Sequence, residues 1–218
     1  ECMSGPFKIK ATLKTPIIIR GHLTFDALLG SILFDLLGDV EAAHAAIPIE
    51  CVDGLYHASS AKVVPLNTGS FTFVANLRAQ HDLDPDLIKK NKAGSKLHSK
   101  VSLGRRRNFG PVLNSYNTIF TEGVEWDVIG DEDKVFELLN DAHFIGKKRT
   151  AGFGEVKQWE TFESTTDGLV DDNGAPMRPV PADRFTGDKS LPIVDAAWRP
   201  AYWNPENRGA CYAPSLPA

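Results

Sequence analysis

The sequence predicts an α+β protein, and three observations carry that prediction. Apolar and polar residues alternate over 7–14, apolar residues recur at helical spacing over 25–37, and a helix-then-strand succession returns over 131–162. Period two marks a strand covered on one face, and a period near 3.6 marks an amphipathic helix.

The first strand has Phe7, Ile9, Ala11 and Leu13 on one side and Lys8, Lys10, Thr12 and Lys14 on the other. It is expected to continue through 17–19, with Pro16 at an edge or bulge. Arg20, Gly21 and His22 form a turn, and Thr24 stands where a helix N-cap belongs. Phe25, Leu28, Leu29, Ile32, Leu33, Leu36 and Leu37 then give a broad apolar face that must lie on a sheet, and Gly38 is the expected stop. A short helix is expected over 39–46. Shorter strands are expected at 54–57, 62–64, 71–75, 116–120 and 124–129. The second long helix spans 131–142, with Asp131, Glu132 and Asp133 in the first turn, where acidic groups suit the dipole. A glycine-rich loop follows, then a strand over 156–162.

This order can be folded as one ferredoxin-like (RRM-like) βαββαβ domain over 7–162, helices on one sheet face and the other face open to a ligand. The stretch 76–112 loses all periodicity and is read as a long basic insertion, because loops beyond ~12–15 residues are usually functional or disordered. The remainder, 163–218, is read as an irregular extension packed on the body. Eight of the 14 prolines lie from Pro176 to Pro217, with Trp198, Tyr202 and Trp203 as anchors.

Composition narrows the function classes. Of the 218 residues, 42% are hydrophobic and 24% charged, ordinary for a globular chain. No apolar run approaches the ~18 residues of a membrane helix, and no signal-peptide core is expected at the start. The three cysteines, Cys2, Cys51 and Cys211, form neither a zinc pattern nor a disulfide framework, which fits a reducing cytoplasm. Net charge is −4, yet 89–107 holds eight Lys or Arg and no Asp or Glu; without them 16 basic residues face 28 acidic ones, a net −12. An acidic body with one basic segment suggests a local polyanion site. The plain alternative is a solvated loop.

The first candidate site is FIGKKRTAGFGEV, 144–156. Gly146, Gly152 and Gly154 permit positive φ and close approach of a backbone. Lys147, Lys148 and Arg149 add cations, Thr150 a hydroxyl, and Phe153 a ring to stack on a base or plug the core. Neither a P-loop nor a dinucleotide fingerprint is present. A basic helix C-cap explains the same residues without a ligand.

The run 145–156 resembles the glycine-rich loop of the CRISPR-associated RAMP superfamily, which lies between the second helix and last strand of a ferredoxin-like fold. GHLTFDALLGSILF, 21–34, resembles the superfamily's first strand-to-helix junction, specifically that of the small RAMP subunit of type IV CRISPR effector complexes. That subunit is the counterpart of the protein that caps the 5′ handle of CRISPR RNA in type I complexes. The resemblance covers about 7–162. It implies a prokaryotic, cytoplasmic ribonucleoprotein subunit of antiviral defence whose partners are guide RNA and backbone-forming RAMP subunits. By analogy it also places the protein near the end of the complex that inspects flanking target DNA.

The second candidate is the basic stretch, with Lys89, Lys90, Lys92, Lys96, Lys100, Arg105, Arg106 and Arg107 spaced to follow a single-strand backbone. Inserted thumb-like hairpins of the resembled family often hold the RNA handle. The third is His22 with Arg20, both expected to contact RNA. Some family members are metal-independent endoribonucleases with a histidine near the first helix, and His22 with Arg20 and Lys148 could supply such chemistry. A histidine at a strand end is more often an RNA contact. Asp82, Asp84 and Asp86 lack the rest of a calcium loop. The expectation is therefore a non-catalytic guide-RNA (crRNA 5′-handle) binding subunit with no cofactor and no metal. A processing endoribonuclease and a structural protein-interaction domain with an incidental basic loop are the alternatives.

Overall fold

A computed structural model describes residues 5–75 and 112–216. The basic stretch 89–107 and the Asp82, Asp84 and Asp86 run lie outside the described residues.

The chain divides into two compact units, Glu1–Gly69 with Thr118–Ala218, and Ser70–Asn117. Mixed helix and mostly antiparallel sheet make the fold α+β. In the first unit, β1 (Gly5–Leu13) pairs antiparallel with β7 (Gly123–Gly130) and β8 (Val156–Glu163), and β7 pairs antiparallel with β4 (Lys62–Val63). The sheet order is β4-β7-β1-β8. Helix α1 (Phe25–Leu37) follows β1, and α3 (Glu132–Leu139) joins β7 to β8. The short α2 (Val40–Ala45) is capped by Asp39, whose carboxylate accepts the Ala42 N–H. Asp131 caps α3 in the same way, accepting from Lys134. The hairpin β2 (Cys51–Val52) and β3 (Leu55–Tyr56) precedes β4.

The period-two face of β1 supplies the core. Phe7, Ile9 and Ala11 are buried with Val124, Trp126 and Val128 of β7, and Phe25, Leu29, Val135 and Leu139 cover them from the helices. Each such large side chain contributes roughly 1.5–3 kcal/mol on burial. The opposite sheet face is charged and largely self-neutralised. Lys8 and Lys10 lie 3.7 and 3.9 Å from Glu125, and Lys62 lies 2.8 Å from Asp127.

Strands β5 (Asn67–Ala75) and β6 (Val112–Phe120) pair with each other, and their outer parts belong to the second unit. There Phe73 stacks on Phe71 and Tyr116, and the Thr72 and Ser115 hydroxyls meet at 3.2 Å.

Four features differ from the sequence reading. Residues 17–19 do not extend β1; Ile17 instead bridges Ile119. Thr24 occupies the expected N-cap position of α1 but makes no side-chain cap bond, and its hydroxyl is buried without a hydrogen-bond partner among the described residues. Leu36 and Leu37, at the C-terminal end of α1, are exposed, so the buried face stops at Leu33. The stretch beyond 163, expected to be irregular, carries a three-stranded antiparallel sheet of β9 (Val180–Pro181), β10 (Ile193–Ala197) and β11 (Arg208–Tyr212) in the order β10-β11-β9. These strands are short, and the proline in β9 obscures their periodicity. Their small core has Leu55, Val180, Phe185 and Tyr212 buried together.

Candidate nucleic-acid interface

The glycine-rich loop begins at Phe144, four residues after the C-cap of α3, Asn140, and ends at β8. Its neck is closed by Ile145 N–H donating to Gly154 O (2.9 Å) and Val156 N–H donating to His143 O (2.9 Å). The neck is then pinned to the segment after β1: Lys147 N–H donates to Ile18 O (2.9 Å) and Gly154 N–H to Pro16 O (2.8 Å). The Thr15 hydroxyl accepts the Glu155 N–H, and Lys14 Nζ pairs with Glu155 at 2.7 Å.

Gly154 is required there. Its φ is +71°, and a Cβ would collide with the Ile145 carbonyl. Gly146, at φ +81°, would press a Cβ to 2.7 Å from Ile18 O. Gly152 also has positive φ, but the space beside it is open. Two of the three glycines thus close the loop against the body, and the third shapes its tip. Lys148 is left-handed too, at φ 61°. For a residue with a side chain this costs about 1–2 kcal/mol.

The tip, Arg149–Ala151, is one 3-10 turn. Lys147, Arg149 and Thr150 are exposed, and Lys148 and Phe153 are half-buried. The main-chain N–H groups of Lys147, Ala151, Gly152, Phe153 and Gly154 donate to protein carbonyls. The sequence reading offered such amides to phosphate. Beside these engaged amides, the Lys147 and Arg149 side chains are exposed.

Arg20 is exposed, two residues beyond the Ile18 carbonyl that receives Lys147, so the first strand's exit and the loop form one neighbourhood. His22 lies elsewhere. It is half-buried in a cavity of about 300 Å³ lined also by Ser60, Lys62, Asp171 and Pro214. Burial, and then the Arg178 charge, push its pKa below the ordinary 6.5, so the ring is neutral at neutral pH. No described contact joins His22 to Lys148.

The sequence reading missed a buried centre at the head of α1. Arg178 is fully enclosed. Its Nη1 donates to Asp26 Oδ1 (3.1 Å), Tyr56 O (2.6 Å) and Ala58 O (3.1 Å). Its Nη2 donates to Trp198 O (2.9 Å) and Tyr202 Oη (2.7 Å). The Tyr202 hydroxyl in turn donates to Asp26 Oδ2. Burial opposes the guanidinium charge, but the Asp26 carboxylate and Tyr202 outweigh it and hold the Arg178 pKa above its usual value. Asp26 read as an ordinary first-turn acid, and Arg178 sat in a stretch without periodicity. Of the expected aromatic anchors, Tyr202 reaches this centre, whereas Trp203 is 80% exposed.

Comparison with known families decides the wider identity. The model for the CRISPR type IV associated protein Csf3 matches residues 77–214, more than half of the chain. The chain belongs to the Csf3 family. It is therefore a type IV CRISPR-associated subunit, as the glycine loop and the α1 junction implied. The matched span contains the glycine loop and Arg178, whereas β1 and α1 precede it. No curated protein matches the chain. Among the described residues no helix is long and apolar enough to cross a membrane, and no three His, Cys, Asp or Glu side chains converge as metal ligands.

Proposed function

We propose that this Csf3-family chain is a non-catalytic guide-RNA-binding subunit of a type IV CRISPR ribonucleoprotein, holding the 5′ handle and docking against a backbone-forming subunit. The observation that carries the reading is the glycine loop. Its neck is locked to the body by Gly146 and Gly154, and its tip presents Lys147, Arg149 and Thr150 to solvent. A fixed loop with outward cations positions phosphates without reading bases.

A ferredoxin-like RAMP architecture over 7–162 is part of the same proposal, with 76–112 as a basic insertion. It is supported by the strand order β4-β7-β1-β8, with α1 and the short α2 between β1 and the β4 edge strand and α3 between β7 and β8. The open sheet face is a weaker candidate for RNA, because its lysines already face Glu125 and Asp127.

The test is a salt titration of binding to a repeat-derived RNA. Changing Lys147, Lys148 and Arg149 together to Ala should weaken binding and flatten the log K against log salt slope by about 2, at ~0.7 per lost phosphate contact on a single strand. An unchanged slope and affinity would remove the loop from the interface. The same RNA, incubated in EDTA, separates the processing alternative: site-specific cleavage abolished by His22→Ala would make the protein an endoribonuclease.

A further inference from the structure

The cavity around His22 is not used by the glycine loop, and its chemistry is specific. It lies between the turn before α1 and the strand-edge residues Ser60–Val63, with Asp171 and the segment at Pro214 completing it. Its construction follows from backbone pairing. Ala61 N–H donates to Leu23 O, and Ser60 N–H donates to Met177 O, both at 2.8 Å. Three separated parts of the chain therefore meet here.

Ile19, Leu23, Val63, Met177 and Pro214 give the cavity apolar walls. Three polar residues, Ser60, His22 and Asp171, line the same space. Ser60 is 6% exposed, and its Oγ has no hydrogen-bond partner among the described residues. A buried hydroxyl without a partner is costly, and a ligand that draws it into a hydrogen bond on entry relieves that cost. The His22 ring supplies one donor and one acceptor when neutral. Asp171 accepts the N–H groups of Asn173 (2.9 Å) and Ala175 (2.8 Å) through Oδ1, which leaves Oδ2 for another donor. The Lys62 ammonium at the rim is held by Asp127 at 2.8 Å.

These groups favour a planar, uncharged, hydrogen-bonding ring. A phosphate would meet the Asp171 carboxylate, whereas an amino-bearing ring finds an acceptor there, as carboxylates do with the cytosine amine. The volume, about 300 Å³, stands at the low end of the ~300–1,000 Å³ of small-molecule sites. The adjoining cleft shares Gly21, His22 and Pro214 with this cavity and has exposed Arg20 on its wall, where a flanking phosphate can be met.

We propose that this cavity is the pocket for one splayed nucleobase of the guide RNA, carrying an exocyclic amino group, held by Asp171, Ser60 and His22. The proposal rests on the guide-RNA reading above. It adds a base-reading site to a loop that meets only the backbone. Single-stranded RNA is recognised in this way, by unstacked bases with their edges hydrogen-bonded.

The experiment uses the full chain and a repeat-derived RNA carrying a fluorescent base analogue, bright when unstacked, at one position at a time. One position should brighten severalfold on binding, and Asp171→Asn or Ser60→Ala should return it to its neighbours' level. Replacing that base by uracil should weaken binding to the native protein about tenfold and to Asp171→Asn by clearly less. Asp171→Asn keeps the Oδ1 acceptor of the turn, and circular dichroism checks that the variants fold. Binding with no position singled out, or brightening indifferent to both substitutions, overturns the pocket and leaves the guide-RNA reading standing. Should the RNA not bind, that reading falls and nucleoside monophosphates decide the pocket. A His22 ring shift in NMR with CMP, AMP or GMP but not UMP keeps it as a nucleobase site, and no shift ends it.

Discussion

Replacing Arg178 by Met tests the buried centre directly. Arg178 and Asp26 are both fully enclosed, so removing the guanidinium leaves a carboxylate in the core with the Tyr202 hydroxyl as its remaining side-chain donor among the described residues. The carbonyls of Tyr56, Ala58 and Trp198 each lose the guanidinium donor at the same time, and Tyr56 O keeps the Ala58 N–H. Breaking a buried ion pair by removing one partner costs about 3–5 kcal/mol. At ~2–4 °C per kcal/mol for a domain of this size, Tm should fall by about 6–20 °C. Thermal melts by circular dichroism, with urea titration as a second measure, read the loss. The triple change Arg178→Met, Asp26→Leu, Tyr202→Phe removes the stranded charge and should recover at least about 2 kcal/mol of it. A single substitution costing under about 1 kcal/mol, or a triple no better than the single, would falsify the argument that an uncompensated charge dominates.

The two glycines of the loop should respond differently to Ala. Gly154→Ala adds a collision with the Ile145 carbonyl to a left-handed backbone, for a loss of about 2–5 kcal/mol; Gly152→Ala carries the backbone term alone, about 1–2 kcal/mol. Urea melts of the two variants check the difference. Stability should also fall with acidity through His22. Its folded pKa lies below 6.5, so the unfolded chain binds the proton first; the contribution is full above pH 6.5 and declines from there toward the folded pKa. Melts in steps from pH 7 to pH 5 should show that decline, and His22→Gln should flatten it. Asp127 adds a lower window. Burial alone would raise its pKa, but hydrogen bonds from Lys62 and Ser164 and the Lys62 charge lower it below 3.8, so its contribution is present above that pH and lost on further acidification. Asp127→Asn should reduce the loss measured below pH 4.

Elements with one strong period were legible in the sequence. The alternation from Phe7 to Leu13 gave β1 and its buried face, and the apolar spacing from Phe25 gave α1. The acid cluster at 131–133 gave the start of α3, because capping and dipole chemistry are local. The glycine loop was also legible, since positive φ leaves a mark in residue type: Gly146, Gly152 and Gly154 all adopt it. Which of them closes the neck depends on the carbonyls of Ile18 and Ile145, and the first of these lies more than a hundred residues away in the chain. Tertiary structure alone could show that the amides of Lys147, Ala151, Gly152, Phe153 and Gly154 are engaged while the Lys147 and Arg149 side chains stand exposed. It also decided what the proline-rich stretch does. Arg178 reaches Asp26 across 152 residues, and Ser60, Asp171 and His22 line one cavity. Sequence determined what can be fixed by neighbours along the chain; burial and pairing between distant segments determined the rest, because desolvation and hydrogen-bond satisfaction are set by what surrounds a group in space.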